Sequence, residues 1–560
     1  IYIAYYEGTG NAGITASIML PGGSKQLLPM SMLYLSVPAP TASGYANDVD
    51  MPASSTVDLT YMMPGSVFAL GAFTPAPGTT LTTLGAGRSL TFTSTTLAAG
   101  SYQFAGSGGV ALGQIIGGTN PITLRVSGRA ILNYNSAPTD MSGMTIEVDP
   151  GGVLGVVSGT VSPLNGLPVH FNGTGGTLAL SSDIAGSAPI DSQINADGSF
   201  TIEHSGSYPT VLGDATHKVT VDGFGQTLTI NSLTDGLTIA GVIEEKSGTG
   251  GNLALVKSGP GTAILSGSQS NTFAGITTVS GGTLRLAKAD GLRAIGDAVV
   301  NAGGTIRLAG NEQMRSLAAP PGDIGDVLVD LNGGTLNLDG YTQSIRRLRM
   351  TGGTVAGGSP AAGTLKLINP PAGEASIQAV STGQSPAAIR GDIDLGGIRT
   401  IAVQDGPAPH DLRIEGRIIN GSVIKQGAGT MVLASESPGQ FDGGLVLETH
   451  WSGQNTVRVE ASVNALGTGP VTLNEYTKLA LPGKFGSTAG LIEGRIAAFN
   501  DWTTPNPGST RVLEAVKGNT TSGWGNNETW VYTGQFYDAD GFVTFGASID
   551  DSAGVKVDGV

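Results

Sequence analysis

At 560 residues the chain is too long for one ordinary globular core, although a solenoid escapes that limit by adding rungs without thickening. Glycine supplies 89 residues and proline 29, yet 39% of the chain is apolar and keeps strand alternation, which excludes a disordered linker and points to a turn-rich, all-β fold. Only 13% of residues are charged, and 28 Lys plus Arg against 43 Asp plus Glu leave a formal charge of -15, a balance that argues against nucleic acid and anionic membranes as partners.

Cysteine is absent, which fits an exported bacterial protein that avoids unwanted disulfides and equally fits a reducing compartment. The first residues, Ile-Tyr-Ile-Ala-Tyr-Tyr, lack the basic, apolar, small-residue order of a signal peptide, so an export signal is expected to have been removed or to lie upstream. No apolar run is long enough to cross a bilayer, and no membrane span is expected in this chain.

Residues 1–54 lack any rung pattern. Their apolar segments, Ile1–Tyr6, Ile14–Leu20 and Met32–Val37, suit a cap or small β subdomain, or, for Ile1–Tyr6, a strand that pairs with another subunit. Rungs are expected over 55–482, beginning with Val57-Asp-Leu-Thr-Tyr and Val67-Phe-Ala-Leu. Ile122, Leu124 and Val126 each have an apolar counterpart at one constant offset, in Met144, Ile146 and Val148, which a solenoid turn of that length would stack directly. Stacked rungs pair their backbones at roughly 4.8 Å, so these segments add up to a rod on the order of 90 Å long. Gly-Gly-Thr recurs at Gly281, Gly303, Gly333 and Gly352, at unequal intervals of rung length, each time followed by an apolar residue. Thr and Ser along the strands are expected to form outward ladders. Arg285–Gly296 is the one stretch with room for a helical turn or two, limited by Gly291. Between 311 and 411, proline clusters such as Asn369-Pro-Pro-Ala-Gly mark loops bulging from corners.

A longer phrase also returns. Leu255-Val-Lys-Ser-Gly-Pro-Gly-Thr-Ala-Ile-Leu is echoed by Val423-Ile-Lys-Gln-Gly-Ala-Gly-Thr-Met-Val-Leu, with Lys425 and Gly427 standing where Lys257 and Gly259 stood. These phrases, within 237–310 and 412–433, resemble the passenger-associated repeat of autotransporter proteins, secreted β-helical adhesins and related exoproteins of bacteria. The resemblance implies an elongated right-handed parallel β-helix and a secretion route; such repeats carry no catalytic residues.

After Leu481 the composition changes, with Trp502, Trp524 and Trp530 all falling beyond it and only Trp451 before. Within 483–560, Gly541, Phe542, Phe545, Asp550, Asp551, Val555, Val557, Asp558 and Gly559 follow a pattern similar to the carbohydrate-binding β-sandwich first described in the anthrax protective antigen. That resemblance implies a partial β-sandwich in which Asp550 and Asp551 hold a calcium ion and, through it, sugar hydroxyls. Read as residues alone, the same pair also suits a turn cap, and Asp538 and Asp540 before Gly541 suit a hairpin turn. About half of the family's length is covered, so the domain is expected to be completed by a longer parent chain or by self-association.

Elsewhere, His170, His204, His217, His410 and His450 never fall at metal-ligand spacing and are expected on the surface or in grooves. Carboxylates appear mostly singly, and no nucleophile elbow is present. The sequence thus predicts a secreted or cell-surface structural or adhesive protein of bacterial type, extracellular and rod-like, with a carbohydrate ligand and no catalytic residues. Its competitors are a β-helical polysaccharide lyase or glycosidase, with carboxylates from neighbouring rungs in one groove, and a viral tail-spike-like trimer.

Overall fold

In the computed structural model the described residues are 42–481, except 118–120, 134–142, 165, 223, 247–251, 318–323, 360–361, 436–442, 451–452 and 461–462. The strands at 17–18, 26–27, 491–496, 511–513 and 529–533 are also described. Among them there is no α-helix; one 3-10 turn spans Val463–Leu466.

Residues 42–481 wind into a parallel β-solenoid of about 16 turns. One ladder runs its whole length, from Ala42–Gly44 to Val471–Leu473. A 9-stranded parallel sheet from Ser55–Asp58 to Ile243–Glu245 forms a second wall of the first half, and a 12-stranded parallel sheet from Thr210–Leu212 to Thr477–Ala480 forms a wall of the second. The expected pairing holds, since Ile122, Leu124 and Val126 stack on Met144, Ile146 and Val148. Elsewhere rung length varies: the turn from Val329 to Leu348 is short and the turn from Ala298 to Val329 long. The expected helical turn is not formed: Gly282–Lys288 is a strand, because its alternation places Leu284 and Leu286 in the core, and the chain then turns through Gly291. Beyond the solenoid, Leu491–Ile496 pairs antiparallel with Arg511–Leu513 and with Thr529–Thr533.

Alternate side chains point inward and form one continuous apolar column from Met51 to Ala465. Rings stack within it, Phe73 on Phe92 at 4.3 Å and Phe171 on Phe200 at 4.7 Å. Polar side chains also enter the core, where they satisfy turns. Asn271 Oδ1 accepts from Ile243 N at 3.0 Å while its Nδ2 donates to Ala294 O at 2.8 Å. Gln343 bridges Met314 N and Met314 O in the same manner.

The lysines of the recurring phrase are fully buried. Lys257 Nζ donates to the carbonyls of Ser258, Gly259 and Gly281, and Lys425 Nζ to those of Gly427 and Gly429 and to Asn455 Oδ1. Each stem fills the core while each amine ties down the Gly-x-Gly turn that follows it. Gly427 has φ of 83°, and a side chain there would meet the Val403 carbonyl of the preceding rung.

Candidate functional site

Chemistry-bearing side chains collect on two outer faces. On the 9-stranded sheet, Arg125, Glu147, His170, Asn195, Thr220 and Glu244 stack in register, one per rung. A second column lies beside them at the strand ends, comprising Asp149, Asn172, Asp197, Asp222 and Lys246. Each donates its backbone N–H to the last strand residue of the rung before, for instance Asp197 to Phe171 O at 2.9 Å. Arg125 Nε to Asp149 at 2.8 Å and His170 Nε2 to Asp197 at 2.9 Å link the columns, Lys246 Nζ to Asp222 at 2.7 Å joins neighbours within the second, and Lys218 Nζ reaches Glu244 of the first at 2.9 Å. Asn172 Nδ2 lies 3.3 Å from both Glu147 and Asp149.

Asp197 and Asp222 therefore sit on adjacent rungs, at roughly the 4.8 Å strand spacing, close to the separation used by paired glycosidase carboxylates of about 5–5.5 Å. Such chemistry also needs one carboxyl held protonated. Asp149 goes the other way, since the hydrogen bond from Arg125 holds it below the usual carboxylate range. Burial does push one carboxyl up on a different corner, that of Asp297, with Asp326 adding to the effect and a backbone hydrogen bond from Leu328, Arg347 and Arg293 opposing it. Arg347 bridges Asp326 at 2.8 Å and Glu374 at 2.9 Å there.

The second face belongs to the 12-stranded sheet. The recurring Gly-Gly-Thr places Thr283, Thr305, Thr335 and Thr354 in register, extended by Thr262 into a five-rung ladder of partly exposed residues. Each preceding glycine pair makes the corner turn; Gly334 lies so close to the Val300 carbonyl of an earlier rung that a side chain would collide with it. A parallel column holds Arg285, Arg307 and Asn337. Arg307 turns to Asp339 at 2.8 Å, whereas Arg285 Nε is buried with no protein partner among the described residues.

A shallow groove of about 540 Å³ lies between the rungs at 87–153, lined by Gly87, Gly106, Gly109, Gly128, Arg88 and Arg129. Among the described residues no three of His, Cys, Asp and Glu are placed to hold a metal ion. No helix there is long and apolar enough to cross a membrane, which says nothing of a β-barrel. Asp550, Asp551, Asp538 and Asp540 lie outside the described residues. The histidine expectation needs correction at His204, which is wholly buried at the end of an inward-alternating strand. Ionic partners such as Arg347 with Asp326 and Arg307 with Asp339 were missed by sequence reasoning because they lie 21 and 32 residues apart on rungs of unequal length.

Residues 255–286 match the family model described as Passenger-associated-transport-repeat. The chain carries a passenger-associated transport repeat. In three dimensions that repeat comprises the Lys257 clamp, strands Ala254–Ser258, Thr262–Gly267 and Thr277–Val279, and the first Gly-Gly-Thr corner, so the solenoid is autotransporter-passenger-like. The second Lys-x-Gly-x-Gly phrase, outside the matched residues, builds the same clamp at Lys425. The chain is also 39% identical over 77 residues to an alpha-agarase of Thalassotalea agarivorans, a match covering 13% of this chain and 5% of that protein. No solved structure matches.

Proposed function

We propose that the chain is the rod of a secreted or cell-surface bacterial passenger, and that it adheres to carbohydrate through the threonine and arginine columns of its 12-stranded face. The observation that carries this proposal is the register of the ladder. Hydroxyls repeat along the axis at roughly 4.8 Å, and a linear glycan also repeats its hydroxyls at fixed intervals, so successive rungs can make the same hydrogen bond with successive sugars. Arg285 is the register neighbour of Arg307 and its Nε has no hydrogen-bond partner among the described residues, which favours a glycan bearing carboxylate or sulfate groups. The experiment is binding of the purified chain to a panel of immobilised linear polysaccharides. Thr283→Val, Thr305→Val and Thr335→Val combined should weaken binding by about tenfold or more, equivalent to about 1.4 kcal/mol, with the fold unchanged. Equal binding by the triple variant would remove the ladder from the function; no retention on any glycan would end the adhesive reading.

A second reading, polysaccharide cleavage, is favoured by the raised Asp297 carboxyl beside Asp326 and by the short similarity to an alpha-agarase. Release of new reducing ends from agar by the native chain, abolished in Asp297→Asn, would establish it in place of the adhesive one.

A further inference from the structure

The interior corner between the full-length ladder and the 12-stranded sheet carries three polar side chains that the fold leaves unanswered. His204 and Ser232 are register partners on adjacent rungs, each the last inward residue of its strand, in Phe200–His204 and Thr227–Ser232. Thr210 is the first inward residue of Thr210–Leu212, across the corner from His204 in the same rung. All three residues are 0% exposed, and His204 Nε2, Thr210 Oγ1 and Ser232 Oγ have no hydrogen-bond partner among the described residues. The surroundings are otherwise satisfied. His204 Nδ1 lies 3.2 Å from Thr234 Oγ1, which donates to Gly206 O at 2.7 Å. Burial pushes the imidazole below its ordinary range, opposed by backbone groups of Thr234 and Tyr208; in its neutral form the ring presents one N–H and one lone pair. One rung before, Ser182 Oγ donates to Ile184 O at 2.9 Å; one rung after, Lys257 closes its own turn.

Leaving three buried polar atoms in one corner without partners is costly for a marginally stable fold. His204 and Ser232 lie on one wall and Thr210 on another, and no hydrogen bond joins any two of the three atoms. A molecule of water size serves all three, accepting from both hydroxyls and bonding to the imidazole, within the two to four partners such sites generally offer.

We propose that this corner is an internal binding site for one water molecule, held by His204, Thr210 and Ser232 between two rungs. Its ligand class is narrow: an uncharged hydrogen-bonding molecule, since the buried Leu180, Leu212 and Leu237, neighbours in register or in strand, bound the corner with apolar surface. The site is independent of any glycan contact on the outer face.

The test is a high-resolution crystal structure of the whole chain, paired with water-to-methyl NOE measurements on protein labelled at threonine methyls. Expected are one density peak within hydrogen-bond distance of His204 Nε2, Thr210 Oγ1 and Ser232 Oγ, and a long-lived water NOE to the Thr210 methyl. The peak should be lost in Thr210→Val/Ser232→Ala, a near-isosteric pair that leaves the circular dichroism unchanged, and the NOE should weaken in Ser232→Ala, which keeps the Thr210 methyl. Should that pair fail to fold, Ser232→Ala alone keeps the test, as the NOE should weaken while the Thr210 contact remains. Ser232 Oγ bonded directly to His204 Nε2, with no peak and no NOE in the native chain, would overturn the proposal.

Discussion

A lysine buried without a carboxylate partner has to find its acceptors in the backbone, and Lys257 and Lys425 do so at the same point of two related phrases. Burial pushes the amine of Lys425 down to about 7 and those of Lys257 and Lys288 to about 8, with Asp411 and Asp235 opposing the shift at Lys425 and Lys257 respectively. Replacing Lys425 or Lys257 by methionine keeps the stem and orphans the carbonyls. Each variant should lose about 1–3 kcal/mol in urea denaturation, the cost of unsatisfied buried acceptors. The direction with pH follows from proton counting. From about 7 up to 10.5 the unfolded chain holds protons that the folded chain has released, so these lysines make stability rise with pH through that window and withdraw the gain as pH falls through about 7. Denaturation midpoints measured across it should climb in the native chain and climb less in Lys425→Met.

At the scale of the element, corners set the tolerance. Gly427 and Gly87 both have positive φ, 83° and 74°, but a side chain at Gly427 would meet the Val403 carbonyl, whereas none of the protein lies within 4 Å of one at Gly87. Gly87→Ala should therefore cost only the left-handed strain of about 1–2 kcal/mol. Gly427→Ala should cost distinctly more, or separate the two rungs, as comparison of the two melting curves will show. Much of this architecture was legible beforehand. The unequal Gly-Gly-Thr intervals correspond to the register Thr283, Thr305, Thr335, Thr354, because a Gly-Gly corner fixes where a strand restarts however long the excursion before it. The lysine clamp was not legible, since a lysine among small residues reads as surface and only the stacking of Gly281 on the turn after Lys257 reveals its acceptors. His204 escaped for a related reason: its inward position depends on the register of Phe200 and Ile202, which the alternation supplies only once the strand is known. Nor could the paired columns of the 9-stranded face be foreseen, because variable corners hide which carboxylate meets which base.

For the whole molecule, turns numbering about 16, at roughly 4.8 Å each, make a rod on the order of 80 Å. Small-angle scattering should give an elongated profile, and circular dichroism a β spectrum without appreciable helix; a compact profile would contradict the stacked architecture. Leu286 lies wholly inside the column, and Leu286→Ala should cost about 2–5 kcal/mol because neighbouring rungs fix the walls of the cavity it leaves. The same stacking has a mechanical meaning. Hydrogen bonds between rungs run along the rod, so tension applied at its ends pulls on them head-on and one rung at a time; it does not shear many together. Every rung that lets go frees its whole turn of chain, between roughly 60 and 110 Å when extended, in exchange for a rise of about 4.8 Å. Held at one end and loaded at the other, the rod is a spring that yields in regular steps and absorbs work over many times its resting length, and a single-molecule pulling trace should show that staircase.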